Sequence, residues 1–370
     1  MKVSELRALI GDEWDRLRRQ SEDRRGLGHA GAARTIGPMP RSEDLRVRAG
    51  EIGLAATLTL PDHEATSGRL PWALLVPSWL PRTRDGGWDR EGHPGWFAPP
   101  HGPQPAGLFE RLADALAARG VATLRYDPRG CGDSGGDWAA SSLFTRIDDA
   151  RDAIGAMRSR RELDLRRTAI IGHGEGAVIA ISVAIGDPAI GAVGLVGPPA
   201  RSFRDVLRRG VAERERTGPD REHPVVAALD RAAEELIERA GRREPEMDLP
   251  LADASVRLTL AGWEQAIHTP ALALATMLHR HVVIAHGATD AWAHPDESRL
   301  LDAVLAEAGN RAVLQQIDGA GHDLAEAEDD RIGAFADALV VGMEPRELPP
   351  VLVAIEEMTA DPGTTLDSRS

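Results

Sequence analysis

Residues 167–178 read Arg-Thr-Ala-Ile-Ile-Gly172-His173-Gly174-Glu175-Gly176-Ala-Val: an apolar run, a turn in which every second residue is glycine, then the start of a helix. A strand that turns directly into a helix is the first half of a βαβ unit. The same alternation continues on both sides. Upstream lie the apolar run Trp72-Ala-Leu-Leu-Val76 ending at Pro77, a helix over 107–119, a strand over 121–126 and a helix over 144–158. Downstream come a helix over 175–185, strand 190–196, a polar helical stretch to about 280, strand 281–286, helix 296–308, strand 312–317 and helix 324–341. Two further strands, 43–49 and 52–60, can pair as a hairpin at one edge. Alternation of this kind predicts an α/β fold, a mostly parallel eight-stranded sheet with helices on both faces.

The remaining segments fall around that core. Residues 3–17 place Val3, Leu6, Ile10, Trp14 and Leu17 at steps of three and four, the mark of an amphipathic helix. It is expected to dock on its own domain, with a homodimer contact or an active-site cover as the alternatives. Residues 22–41 are rich in Gly, Arg and Pro and read as a linker, so that 1–41 forms an N-terminal appendage. The core then comprises 42–199 and 281–342. The stretch 200–280 interrupts it between the sixth and seventh sheet strands, over the C-terminal strand ends where open α/β sheets bind ligands, and is expected to be a helical cap. Residues 343–370 form a tail whose polar end, from Thr359 on, is expected to be disordered.

Composition excludes several classes of function. A net charge of −14 over 370 residues argues against nucleic acid or an anionic membrane as partner. Cys131 is the sole cysteine, which rules out an intramolecular disulfide and a multi-cysteine metal site. There is no apolar signal core and no run of about 18 apolar residues, so a cytoplasmic protein acting on a small molecule is expected. His279, Arg280 and His281 are adjacent and diverge, giving no metal cluster. Gly172, Gly174 and Gly176 have the wrong spacing for a dinucleotide fingerprint, and no cofactor is expected.

Three segments carry the chemistry. The glycine-rich turn has the frame of the nucleophile elbow G-x-S-x-G, in which a serine sits on a strained strand-to-helix turn, but the central position is Gly174. His286-Gly-Ala-Thr-Asp290 follows one later strand and Asp318-Gly-Ala-Gly-His322-Asp follows the next. The chain order of elbow, acid and histidine over about residues 43–342 resembles the α/β-hydrolase superfamily, most of all its esterase and acyl-peptidase-like members. In those, the stretch after the fourth strand resembles Leu124-Arg-Tyr-Asp127-Pro-Arg129-Gly130-Cys-Gly132-Asp-Ser134-Gly. The resemblance implies that Asp290 is the triad acid and His322 the triad base, the carboxylate fixing the imidazole tautomer. It also implies an oxyanion hole from the Glu175 N–H and an N–H near Ser78 or Trp79, although Pro77-Ser78-Trp79-Leu80-Pro81 stands where that loop is often glycine-rich. Glu175 itself would complement the positive end of its helix.

Two serines invite other assignments. Gly132-Asp133-Ser134-Gly135-Gly136 matches the nucleophile sequence of chymotrypsin-like proteases, but it follows a parallel strand and belongs to the R-G-x-G-x-S loop. Ser78 lies near the expected site on the oxyanion loop and is a lesser candidate for a rescue nucleophile. Trp79, Trp88, Trp96 and Trp292, with His173, are expected beside the site and point to a bulky apolar or aromatic substrate.

Glycine forms no acyl-enzyme, so the covalent route through residue 174 is closed. A His322–Asp290 base would face a cavity enlarged by the missing hydroxymethyl group. The first expectation is therefore a non-covalent general acid–base enzyme performing cyclisation, elimination, C–C bond formation or direct hydrolysis. The second is a serine esterase, thioesterase or acyl-peptidase whose serine was exchanged for glycine. The third is a non-catalytic ligand-binding pseudo-hydrolase, which would have no chemical need of His322 and Asp290.

Overall fold

The computed structural model describes residues 40–61, 68–93, 107–217, 224–250, 255–260, 263 and 270–360. The expected helix at 3–17, nearly all of the linker and Trp96 lie outside these. β1 (Arg41–Ala49) and β2 (Ile52–Leu60) form the expected antiparallel hairpin. β3 (Leu70–Val76), α1 (Leu108–Ala117), β4 (Ala122–Tyr126), α2 (Leu143–Met157), β5 (Leu163–His173), α3 (Glu175–Gly186) and β6 (Ile190–Val196) then alternate. After an insertion come β9 (His281–Gly287), α7 (Asp296–Glu307), β10 (Arg311–Ile317) and α8 (Asp329–Val341). The sheet order is β1-β2-β4-β3-β5-β6-β9-β10, antiparallel at the β1–β2 and β2–β4 pairs and parallel elsewhere. This is the α/β-hydrolase fold.

The strands are apolar because both faces of the sheet are covered. Successive side chains point to opposite faces, so Leu74, Val76 and Ile170 join one core while Ala73, Leu75, Ala169 and Ile171 join the other. The first core is closed by Ile154 of α2, Ile179 and Val183 of α3 and Leu301 and Leu305 of α7. The second is closed by Phe109, Leu112 and Leu116 of α1 and Ile332, Phe335 and Leu339 of α8. α8 starts at Asp329 and not at the expected 324, because Leu324 adopts φ +50°, which an α-helix does not accommodate.

The insertion contains α4 (Phe203–Thr217), α5 (Pro224–Gly241), α6 (Ala271–Ala275) and a feature that the sequence reading did not anticipate. β7 (Glu246–Pro250) and β8 (Ser255–Thr259) pair as an antiparallel ribbon. Met247, Leu249 and Leu258 turn inward from it to pack with Leu229 and Leu236 of α5 and with Trp79, Trp138 and Trp263. The segment is thus mixed, not all-helical. The chain after the core also forms α9 (Pro350–Ala360), whose Leu352 joins Leu165 and Ala189 while Glu356 pairs with Arg69 and Arg166. Among the described residues no helix is long and apolar enough to cross a membrane.

Candidate active site

The glycines of the turn are dictated by packing. A Cβ on Gly172 would overlap the Gly176 carbonyl oxygen, and one on Gly176 would overlap the carbonyl oxygens of Val76 and Pro77, so α3 can lie this close to β3 and β5 only without side chains there. Between them Gly174 caps α3 with φ +54° and ψ −122°, a conformation that costs an L-residue roughly 1–3 kcal/mol. Its N–H donates to the Val196 carbonyl at 2.8 Å, which ties the turn to the end of β6. The Glu175 N–H occupies the first position of α3, where no intrahelical acceptor exists.

Asp290 and His322, 32 residues apart in sequence, meet across the ends of β9 and β10. The His322 Nδ1–H donates to Asp290 Oδ2 at 2.7 Å. Asp290 Oδ1 accepts from the backbone N–H groups of Trp292 and Ala293 at 2.8 and 2.9 Å. Behind it, the fully buried His286 Nε2–H donates to the Ala293 carbonyl at 2.7 Å and lies 3.1 Å from Asp290 Oδ2. Burial alone would raise the Asp290 pKa, but His322 and His286 outweigh it and hold the carboxyl well below its usual range. Burial lowers the His322 pKa, yet the Asp290 charge and hydrogen bond more than compensate and leave it raised. The bond at Nδ1 leaves Nε2 as the free nitrogen, and this points to Gly174: a Cβ there would be 3.0 Å from it.

The space above Gly174, expected to be enlarged by the missing side chain, is occupied. Ser78 Oγ lies 2.5 Å from the point that a Gly174 Cβ would take, and Ser78 Cβ lies 3.2 Å from it. Ser78 follows β3, and its loop is fixed by the Trp138 indole N–H donating to the Trp79 carbonyl at 2.7 Å. Ser134, by contrast, accepts from the Ala55 N–H and donates to the Asp127 carbonyl, at 2.8 and 2.7 Å. It is a structural hydroxyl in its loop.

A cavity of about 600 Å³ opens above these atoms. Its floor is Ser78, Gly174, Glu175, Gly197 and His322. Its walls include Trp79, Trp292, Phe203 and Leu207 of α4, Leu229 of α5, and Leu143, Phe144 and Ile147 of α2. Trp79 packs edge-on against Trp263 and Phe203, with ring centroids 5.1 and 6.2 Å away. Trp292 stacks beside the His322 ring at 6.2 Å. Arg214 of α4 donates to both carboxylate oxygens of Asp230 on α5 and to the Ala291 carbonyl at 3.0 Å. The insertion is thereby tied to the loop that carries Asp290. Glu175, on the floor, is paired with Arg146 at 2.7 Å, and burial raises its pKa.

Two residues expected to line the cavity do not. Trp88 lies beneath the Arg82 guanidinium, whose Cζ is 3.8 Å from the ring centroid. His173 is buried behind His322, with its Nε2–H donating to the His322 carbonyl at 3.2 Å and ring centroids 4.6 Å apart. Burial, then the neighbouring His322 and Arg82, push the His173 pKa down to about 3. The same network contains residues that the sequence did not single out. Buried Arg82 donates to Asp323 Oδ1 at 2.8 Å, and Arg82 together with the two histidines holds the Asp323 pKa down at about 2 against the effect of burial. Asp323 was visible only as the neighbour of His322; nothing local marked Arg82 as its partner.

Two groups of side chains among the described residues have metal-ligand types within reach of one another: Asp89, His93 and Cys131, and His173, His322 and Asp323. In the first, the His93 Nε2–H donates to the Gly130 carbonyl at 3.0 Å and Asp89 accepts from the N–H groups of Gly92 and Gly132, while burial raises the Cys131 pKa. In the second, Asp323 is engaged by Arg82.

Residues 103–330 match the family model described as Hydrolase_4, serine aminopeptidase, S33. No curated protein matches the sequence. Among solved structures the chain is similar to Est1E from Butyrivibrio proteoclasticus with ferulic acid bound (16% identity, 80% of this chain and 99% of that one, TM-score 0.54). It is also similar to the α/β-hydrolase GrgF from Penicillium sp. sh18 (16%, 82% and 99%, 0.55) and to an acylaminoacyl peptidase from Pyrococcus horikoshii (12%, 86% and 44%, 0.55). At these identities the likeness is one of fold.

Proposed function

The chain belongs to the Hydrolase_4 (serine aminopeptidase, S33) family of α/β-hydrolases, and from that membership we propose an esterase-like enzyme in which His322, oriented by Asp290, is the general base and acid. Gly174 supplies no nucleophile. The observation that carries this reading is the 2.7 Å bond from His322 Nδ1 to a carboxylate with no solvent exposure, with Nε2 directed at the floor of the cavity. His322 takes a proton from the O–H, N–H or C–H group brought to its Nε2 and returns it to the leaving or rearranging atom. The Glu175 N–H, with an N–H from the Ser78–Trp79 loop, faces the negative charge that develops. Direct hydrolysis, elimination, cyclisation and C–C bond formation all need this proton acceptor and these donors. Trp79, Trp292, Phe203 and the aliphatic wall favour a bulky apolar or aromatic substrate, and the insertion serves as its cap.

The proximity of Ser78 to residue 174 supports glycine as the residue this site is built around, and so weighs against a serine exchanged for glycine. The experiment is a comparison of the full chain with His322→Ala for turnover of a panel of aryl esters of graded acyl size, with binding of the aryl acid product measured in parallel. The reading requires turnover to fall roughly 10²–10⁴-fold with product binding retained. Equal turnover in the two proteins rejects it, and binding without turnover in either would make the chain a pseudo-hydrolase.

A further inference from the structure

We propose that Ser78, on the loop after β3, is the nucleophile of this enzyme, its hydroxyl standing in for the side chain that Gly174 lacks. The proposal rests on the assignment of His322 and Asp290 above and names the hydroxyl on which they act. Its basis is positional. The point where a Gly174 Cβ would sit is 2.5 Å from Ser78 Oγ and 3.0 Å from His322 Nε2. His322 Nε2 and the Ser78 hydroxyl thus both border the point that a Gly174 side chain would take, and a hydroxyl on residue 174 would have to displace that of Ser78. Ser78 also lines the cavity floor with Gly174, Glu175 and His322, so a substrate seated there reaches it. No hydrogen bond joins Ser78 Oγ to His322 Nε2 in this structure; catalytic hydrogen bonds in an empty site are often long and tighten when the substrate binds.

The step balances without further reagents. Ser78 Oγ attacks the ester carbonyl carbon as its proton passes to His322 Nε2. The tetrahedral oxyanion collapses with cleavage of the C–O bond to the leaving group, which takes the proton from His322 and departs as an alcohol. Water, deprotonated by His322, then cleaves acyl-Ser78 to release the carboxylic acid and return the proton to Ser78. The Glu175 N–H, free at the first position of α3, lies beside the carbonyl oxygen in both halves.

The test uses the full chain, a tagged fluorophosphonate that phosphonylates activated serines, and peptide mapping by mass spectrometry, alongside p-nitrophenyl ester turnover. The adduct is expected on the peptide carrying Ser78. It should be absent in Ser78→Ala and slowed roughly 10²–10⁴-fold in His322→Ala, with aryl-ester turnover falling in both. Ser78→Cys serves as a second variant: its thiol should be alkylated by iodoacetamide far faster with His322 present than in Ser78→Cys/His322→Ala, Cys131 being buried. No adduct on the native chain, an adduct elsewhere, or undiminished turnover in Ser78→Ala overturns the proposal. If Ser78→Ala keeps its turnover while His322→Ala loses it, only the Ser78 assignment falls. If His322→Ala also keeps it, the general-base reading falls too.

Discussion

Asp290 grips His322 from a position closed to solvent: one carboxylate oxygen takes the imidazole Nδ1–H at 2.7 Å, and the other takes the N–H groups of Trp292 and Ala293. Removing the carboxylate therefore has two separable consequences. Asp290→Ala leaves two backbone donors unpaired, that of Ala293 buried, and should cost about 1–3 kcal/mol in urea denaturation. Asp290→Asn retains an acceptor for them, so its stability should lie closer to that of the native chain while its turnover collapses.

Gly174 and Ser78 compete for one space. Gly174→Ser places a side chain at φ +54° and against the Ser78 hydroxyl, and it should destabilise the fold by roughly 1–3 kcal/mol. Gly174→Ser combined with Ser78→Gly should recover part of that loss, giving a favourable coupling energy in a double-mutant cycle. The same double variant should hydrolyse aryl esters faster than Gly174→Ser alone. Additive stabilities would show that the two positions do not meet.

The Arg214–Asp230 pair fastens α4 and α5 to the Asp290 loop through the Ala291 carbonyl. Arg214→Ala strands Asp230 and that carbonyl and should cost about 3 kcal/mol. Arg214→Met/Asp230→Leu, which leaves neither charge unpaired, should cost less. Because Arg214 also faces the Trp292 ring, its Cζ 5.5 Å from the centroid, both variants should change tryptophan emission. Equal stability of the two variants would refute the role assigned to the pair.

His173 is expected to stay neutral well into the acid range, its pKa lowered to about 3 by burial, His322 and Arg82. An unfolded histidine protonates near its ordinary value of about 6.5. Between these values the unfolded chain binds a proton that the folded chain does not, so this group's stability contribution is full above about 6.5 and is lost as the pH falls. The unfolding free energy of His173→Gln should accordingly fall less steeply from pH 7 to pH 5, by up to about 1.4 kcal/mol per unit. Parallel slopes would show that His173 titrates in the fold as it does in the unfolded chain.

The sheet was legible because parallel strands covered on both faces are apolar throughout: Trp72 to Val76 and Ala169 to Ile171 announce themselves, and the turns after them place Ser78, Gly174, Asp290 and His322 at one end. The β7–β8 ribbon was not legible, because Glu246-Met-Asp-Leu-Pro250 is a five-residue alternation next to a helix of similar polarity. Trp88 was misplaced because nothing in its loop tells that Arg82 covers its ring. The Arg82–Asp323 pair spans 241 positions and leaves no periodic or spacing signal. Nor could composition reveal that the space above a glycine is filled by a serine from a loop nearly a hundred residues earlier. Both are properties of three-dimensional approach.

The most direct test of the central assignment is the pH dependence of aryl-ester turnover in the native chain and in Asp290→Asn. Asp290 raises the His322 pKa against the effect of burial, and the base works only when deprotonated. Turnover should therefore rise with pH through a single ionisation above the ordinary histidine value of about 6.5. In Asp290→Asn that ionisation should move to lower pH and the plateau should drop by roughly 10⁴-fold, as the same change does in a Ser-His-Asp triad. A profile without that ionisation, or one left unchanged in position and height by Asp290→Asn, would contradict the account.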